Sequence, residues 1–474
     1  MVRGAEAGQM AESRYVMKFG GSCVKDGSTV RRSAEIVRDY VERGCRVVAV
    51  VSALSGVTDG ILEALASAER GREDEIRSFI ERLGARHESA CAEAIRNGDL
   101  RSSVLGEIRR EIEELGKLLS ITAYLKEVTP RIRDYALSFG ERLSTRIFWG
   151  SLLDQGVRAE YFTGWDAGIV TDDEFGSAKP LGITYQEVRR RLGPLLEEGV
   201  VPVVTGFIAA TPEGVITTLG RGGSDYTATI IGAALKVDEI ILWKDVDGIM
   251  TADPKLVPEA RPIPRMSYDE VLELAYFGAK VIHPGALEPA SRENIPIRVK
   301  NFYNPSAEGT LIIGAAESDT VKALTMIRDA AIILASGVGS SEALNTNVKL
   351  LDLLARVGAQ VIMVSQASSQ ANISIALPRE DLKKALKAVK SEFAEDEMKV
   401  DCEEGICVIA VIGSGMRGRP GVAAKIFNAV AAEGINIKMI AQGSSELNIS
   451  FAVKEEDGVK ALRAVHRAFG LNAA

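Results

Sequence analysis

Residues 46–56 read RVVAVVSALSG. The run Arg46 to Val51 has no polar alternation, the pattern of a strand covered on both faces in a parallel sheet, and it empties into a loop of small residues, Ser52 to Gly56. Upstream, Tyr15 to Lys18 reads as a short strand entering Gly20-Gly21-Ser22, and Ser28 to Arg43 carries Val30, Ala34, Val37 and Val41 at helical spacing. Downstream the same grammar returns in VVPVVT (Val200 to Thr205) and EIILW (Glu239 to Trp243), with a helix from Tyr226 to Leu235 between them. Strand, helix, strand in this rhythm predicts an α/β fold, a mostly parallel sheet sandwiched by helices with ligands at the carboxyl ends of its strands.

The composition limits what such a fold can do. The 474 residues carry 57 Lys and Arg against 65 Asp and Glu, a formal charge of −8, which argues against a nucleic-acid binder held by bulk positive charge. Hydrophobic residues make up 46% of the chain, enough for several domain cores, yet no apolar run is long enough to span a membrane. The start, MVRGAEAGQMAESR, lacks the apolar stretch of a signal peptide, so a cytoplasmic protein is expected. Cys23, Cys45, Cys91, Cys402 and Cys407 form no CxxC pair and are read as reduced, mostly buried thiols. His87, His283 and His466 have no ligand spacing, so neither a metal centre nor imidazole chemistry is expected.

Residues from Ile61 to about Leu125 are charged and periodic, and predict a hairpin of two amphipathic helices broken near Asn97-Gly98-Asp99, its charges a solvated face. The last third holds an internal repeat. Gln366-Ala-Ser-Ser-Gln-Ala-Asn372 returns as Gln442-Gly-Ser-Ser-Glu-Leu-Asn448 at an ungapped offset of 76 residues, and the helix from Val348 to Val357 returns from Ala424 to Glu433. Two copies of one βαββα unit are expected. The repeat also explains away Gly413-Ser-Gly415-Met-Arg-Gly418, a formal dinucleotide motif after the strand from Cys407 to Ile412. No acidic residue ends its second strand and too little chain follows.

Chemistry concentrates in three loops, and none is a P-loop or a protein-kinase signature. Lys18-Phe-Gly20-Gly21-Ser22 joins a cation, two glycines whose N–H groups can approach an anion, and a hydroxyl. Thr218-Leu-Gly220-Arg221-Gly222-Gly223-Ser224-Asp225 opens directly onto a helix N-terminus. Arg221 there offers a planar fork for carboxylate or phosphate, and Asp225 is suited to orienting a lysine or a water around a metal. The third, Lys244-Asp245-Val-Asp247-Gly248 through Pro254, is either an acidic turn or a nucleotide-holding loop, with Lys255 and Lys280 bringing positive charge to a polyphosphate. His283 before Pro284 reads as a packed or capping residue.

KFGGSCV (Lys18 to Val24), VSALSGVTD (Val51 to Asp59), SFGERLS (Ser138 to Ser144), TLGRGGSDYTA (Thr218 to Ala228), KDVDGIMTADP (Lys244 to Pro254) and GAKVIHP (Gly278 to Pro284) resemble the aspartate kinase family, in that family's order. The tandem repeat resembles its two regulatory ACT domains. The resemblance implies the amino-acid kinase fold and transfer of the ATP γ-phosphoryl group, with Mg2+, to the β-carboxylate of L-aspartate. Lys18 and Asp225 take the catalytic positions. Ser52, Thr58, Glu141, Arg221 and Ser224 fall where the family holds aspartate, and Lys18, Gly20, Gly21, Ser22, Lys244, Asp245, Lys255 and Lys280 match the nucleotide side. The chemistry agrees: a carboxylate nucleophile is ionised at neutral pH, so no general base is needed. Two departures stand out. Cys23 replaces a common serine and adds a thiol open to oxidation, and Met250 replaces an aromatic residue, putting adenine stacking there in question.

For the repeats the resemblance implies an amino-acid effector, lysine or threonine, and assembly into a homodimer or higher oligomer through paired ACT domains. Asn345, Asn347 and Gln366 are candidates for contacting it, with helix capping and turn formation as the open alternative. The expected domains are a flexible segment 1–14, a kinase domain 15–315 with its helical insertion at about 61–135, and ACT domains at 325–395 and 402–474. No homoserine dehydrogenase is expected. Two other readings stay open: another carboxylate or nucleotide kinase of the same fold, and a catalytically inactive amino-acid sensor.

Overall fold

The computed structural model describes residues 12–279, 282–315, 320–336, 343–366, 372–393 and 399–472. They divide into two compact units, the first running to Ile249 and including Ile282–Gly314, the second made of Met250–Val281 and Ala315–Ala474.

The first unit opens with β1 (Arg14–Phe19), α1 (Gly27–Glu42) and β2 (Arg46–Val51). α1 starts sharply because the Asp26 side chain accepts the Thr29 N–H while the Thr29 hydroxyl accepts the Asp26 N–H, each at 2.9 Å. Three helices follow, α2 (Val57–Glu69), α3 (Glu73–Ala94) and α4 (Gly98–Leu125), where a hairpin of two was expected. The break near Asn97 is present. The additional one falls at Gly71, whose φ of 70° ends α2 in the left-handed region. α5 (Pro130–Asp154), β3 (Ala159–Phe162), α6 (Ile183–Glu197), β4 (Val201–Thr205), the hairpin β5 (Ile208–Ala210) and β6 (Ile216–Thr218), α7 (Gly223–Leu235) and β7 (Glu239–Lys244) complete the series. Next come β8 (Arg265–Ser267) and α8 (Tyr268–Tyr276), which belong to the second unit; α9 (Pro284–Arg292), β9 (Ile297–Asn301) and β10 (Thr310–Ile313) belong again to the first.

Within the first unit the strands order β3-β4-β2-β1-β7-β9-β10, parallel except for the last pair. The unbroken apolar runs are explained by burial on both faces. Met17, Phe19, Val47, Ala49, Val51, Val203, Ile241 and Trp243 share one core with α1 and α5, while Val16, Val48, Val50, Val204, Ile240 and Leu242 are buried on the opposite face, where α6 and α7 pack. Phe19 stacks at 6.3 Å on Trp243 and meets Phe148 at 5.2 Å, which locks the end of the central strand.

The second unit carries β11 (Ala323–Ser336), α10 (Ala343–Arg356), β12 (Met363–Gln366), β13 (Asn372–Pro378), α11 (Arg379–Glu392), β14 (Lys399–Ile412), α12 (Val422–Ala432), β15 (Met439–Gln442), β16 (Asn448–Lys454) and α13 (Glu455–Ala468), which is βαββα twice over. All pairs in its sheet, β12-β13-β11-β14-β16-β15, are antiparallel. The two long central strands change register between Ile327 and Ile332, where Asp329 and Gly405 take positive φ. The start of β11 therefore lies beside the second repeat, and the start of β14 beside the first, giving each repeat a strand from the other. Met250–Val281 packs with this unit: Ala252 and Val257 join the core of the second repeat, Thr251 bonds His466 at 2.9 Å, and the buried Glu270 accepts both Lys322 at 3.0 Å and the Ser414 N–H at 2.7 Å.

Candidate functional site

Three chain turns at the carboxyl ends of β1, β2 and β6 converge on a cavity of about 360 Å³, in the range of roughly 300–1,000 Å³ usual for small-molecule sites. Its lining includes Lys18, Gly21, Ser52, Thr58, Glu141, Arg221, Ser224 and Asp225. Parallel pairing sets this up: Lys18 aligns with Val50 on one side and Leu242 on the other, so the residues just beyond β2 flank the Lys18 ammonium.

Two helices begin at the cavity, α2 after Gly56 and α7 after Gly222, and both glycines hold φ near 75–80° (79° and 74°). A side chain at Gly222 would also lie 2.5 Å from the His283 Cβ. α7 starts three residues earlier than its apolar periodicity indicated, so Ser224 and Asp225 sit in its first turn, where the positive end of the helix favours anions.

The electrostatic centre is Asp225. Lys18 lies 2.7 Å from one of its oxygens and Lys244 lies 3.1 Å from the other. Burial pushes the Asp225 pKa up, and the two ammonium groups more than offset it, holding the value down at about 2. Asp225 thus neutralises and orients two lysines, the first of the two roles its sequence position offered.

Glu141 is the opposite case. It projects from α5, is 4% exposed, and accepts one hydrogen bond, from the Ala53 N–H at 3.2 Å. Its second oxygen is buried with no partner among the described residues. Desolvation raises its pKa to about 8 despite the Ala53 amide and the nearby Lys18 charge. Ser144 on the same helix donates to the Ser52 carbonyl at 2.7 Å and fixes that loop. Arg221 is exposed at the rim and forms no ion pair among the described residues.

The other sequence candidates are placed as follows. Gly20 lies against the Lys18 ammonium, where a Cβ would sit 3.3 Å away, and Ser22 is half-buried in the turn after β1; neither lines the cavity. Asp245 is exposed beyond β7. Lys255 belongs to the second unit, on a turn where its N–H bonds Asp253, and Lys280 lies outside the described residues. Met250 is also in the second unit, bridged to Pro262. Cys23 is fully buried, donates to the Trp243 carbonyl, and has its pKa pushed up to about 11 by burial, so its free thiol is shielded and held protonated. His283 occupies the N-cap position of α9 but makes no side-chain cap bond. In the first repeat Asn347 is buried with its amide nitrogen unpartnered among the described residues, and Gln366 is exposed at the end of β12; the side chain of Asn345 lies outside the described residues, as do Gly337 and Gly339.

Sequence reasoning missed Phe207 and Asp134. Phe207 lines the cavity with φ at 69°, a conformation rare for an aromatic residue, and no local pattern announces it. Asp134 is wholly buried and accepts three hydrogen bonds from loops far away in the chain.

Residues 13–301 match the amino acid kinase family, and 333–393 and 409–469 match an ACT domain. Aspartokinase 1, chloroplastic, of Arabidopsis thaliana is 35% identical, covering 96% of this chain and 80% of its own. The bifunctional aspartokinase/homoserine dehydrogenase 2 of the same plant is 34% identical, and this chain spans about half, 51%, of its length. Among solved structures, E. coli aspartokinase III in complex with lysine and aspartate (T-state) is 30% identical with a TM-score of 0.79, covering 96% of this chain and 99% of that one; the same protein with aspartate and ADP (R-state) gives 29% and 0.78 at the same coverage. Fold and matches together define an amino acid kinase joined to ACT repeats. Within that class, the chain belongs to the aspartokinase family.

Proposed function

We propose that this chain transfers the γ-phosphoryl group of ATP to the side-chain carboxylate of L-aspartate, giving 4-phospho-L-aspartate and ADP. The observation that carries the reading is the presence, in one cavity beside the Lys18 ammonium, of a buried Glu141 carboxylate oxygen and an Arg221 guanidinium, the first with no hydrogen-bond partner and the second with no ion pair among the described residues. An amino acid offers an ammonium to the first and a carboxylate to the second. Its remaining carboxylate then faces Lys18 and two helix N-termini, which oppose the charge of a transferring phosphoryl group. In this reading Ser52, Thr58 and Ser224 contact aspartate, Gly20, Gly21 and Ser22 border the phosphoryl path, and Lys244, Asp245, Lys255 and Lys280 serve the nucleotide. Mg2+ is proposed to arrive bound to the triphosphate, where it would supply charge neutralisation.

The repeats are proposed to bind lysine or threonine near Asn347, and to pair between copies of the chain in a homo-oligomer. The kinase domain is taken as 15–315, and the ACT domains as 325–395 and 402–474. A cytoplasmic location belongs to the same proposal; none of the five cysteines is in a disulfide, which suits a reducing compartment. The described residues contain no helix long and apolar enough to cross a membrane.

The test is ATP-dependent acyl phosphate formation, trapped as the hydroxamate, with aspartate, glutamate and UMP as acceptors and with lysine or threonine added. Turnover on aspartate alone among the acceptors upholds the reading, and turnover on glutamate or UMP without aspartate sinks it.

A further inference from the structure

Asp134 lies in the first turns of α5, seven residues and two helical turns before Glu141, and is wholly buried. It forms no ion pair among the described residues; three hydrogen-bond donors hold it instead. One oxygen accepts the Gly176 N–H at 2.9 Å and the Thr218 N–H at 2.8 Å, and the other accepts the Thr218 hydroxyl at 2.9 Å. Thr218 ends β6 and leads through Leu219 and Gly220 to Arg221. Gly176 and Gly220 are themselves in contact, since a Cβ on Gly220 would lie 3.1 Å from the Gly176 carbonyl, and the Ala178 N–H closes back on the Thr218 carbonyl at 2.9 Å.

One carboxylate therefore ties two loops to the helix that carries Glu141. We propose that Asp134 is a positioning residue that sets the spacing between Arg221 and Glu141, and through it the fit for the α-carboxylate and ammonium of an amino-acid substrate. This rests on the aspartate kinase reading. Because those two groups share one carbon of the substrate, their spacing is fixed and a displaced Arg221 loop loses both contacts together. The nucleotide does not depend on that spacing, so the effect is confined to the amino acid.

The experiment compares wild type with Asp134→Ala, Asp134→Asn and Thr218→Val, reading KM for aspartate and for ATP, kcat, and hydrogen exchange of the residues 218–223 amides. Asp134→Ala is expected to raise the aspartate KM by about tenfold or more with the ATP KM within about twofold, and to speed exchange in 218–223 while α5 stays protected. Asp134→Asn is expected to rescue to within about threefold of wild type, because its oxygen can accept both backbone donors and its amide can donate to Thr218. Thr218→Val loses one bond and raises the aspartate KM by about threefold. Equal rises in both KM values, or unchanged aspartate KM and exchange in Ala and Val variants, overturn the proposal. If the Ala variant does not fold, Thr218→Val decides it by the same split. A wild-type enzyme inactive on aspartate overturns the functional reading instead, and the exchange result then still tells whether Asp134 holds the loop.

Discussion

The ammonium of Lys18 and the carboxylate of Asp225 lie 2.7 Å apart, both almost fully buried at the floor of the cavity. With Lys244 on the other oxygen, the cluster keeps one net positive charge in a site proposed to receive several negative ones. Charge is thus stored in a compensated form, ready to be drawn toward a phosphoryl group.

Replacing Lys18 with Ala is expected to lower kcat by about 100- to 1,000-fold, the usual loss when one preorganised charge stabiliser is removed. Asp225 keeps Lys244, so the fold should survive. Steady-state kinetics beside a thermal melt check this, and a wild-type kcat in the variant would overturn the role of Lys18.

Glu141 gives a pH dependence in two directions. Its pKa rises from about 4.3 in the unfolded chain to about 8 in the folded one, so the stability it lends is complete at low pH and is lost as pH climbs through 8. Glu141→Gln should therefore out-melt the wild type at pH 9 and match it near pH 4. In the proposed reading the substrate ammonium binds the ionised form, so wild-type kcat/KM for aspartate should climb as pH passes through about 8, and the Gln variant should be nearly inactive at every pH.

Arg221→Lys replaces a fork by a point charge and should raise the aspartate KM by about tenfold, leaving the ATP KM unchanged. A rise in the ATP KM alone would move Arg221 to the nucleotide side.

His87 is buried in α3 with one ring nitrogen on the Leu83 carbonyl and the other without a partner among the described residues, and burial lowers its pKa to about 4. A depressed histidine stabilises above pH 6.5, and that contribution disappears as pH falls through 4, by about 3 kcal/mol in all. His87→Leu should flatten the acid limb of the stability curve, as measured by denaturant unfolding at pH 4 to 7.

Much of this was legible in the chain. The apolar runs fixed β1, β2, β4 and β7 to within a residue or two because strands covered on both faces leave no room for polar alternation. The glycine-bearing loops at Lys18–Ser22 and Thr218–Asp225 were singled out from local composition alone, and both contribute to the cavity lining; the third, Lys244–Pro254, does not. What could not be read was anything made by residues distant in sequence: the Lys18–Asp225–Lys244 cluster joins the adjacent strands β1 and β7 to the first turn of α7, Asp134 reaches residues 42 and 84 positions away, and Phe207 takes a backbone conformation that its side chain disfavours. The extra break at Gly71 was missed for a different reason, since a glycine near a helix end is only sometimes its stop.

The excursion of Met250–Val281 bears on modularity. The stretch matched to the kinase family runs to residue 301, yet Met250–Val281 inside it packs with the repeats through Ala252, Val257, Thr251 and Glu270. A chain cut after the kinase motifs would carry an apolar strip whose cover had been deleted. The halves are therefore not interchangeable cassettes: a regulatory tail grafted from a relative has to bring its own matching excursion with it.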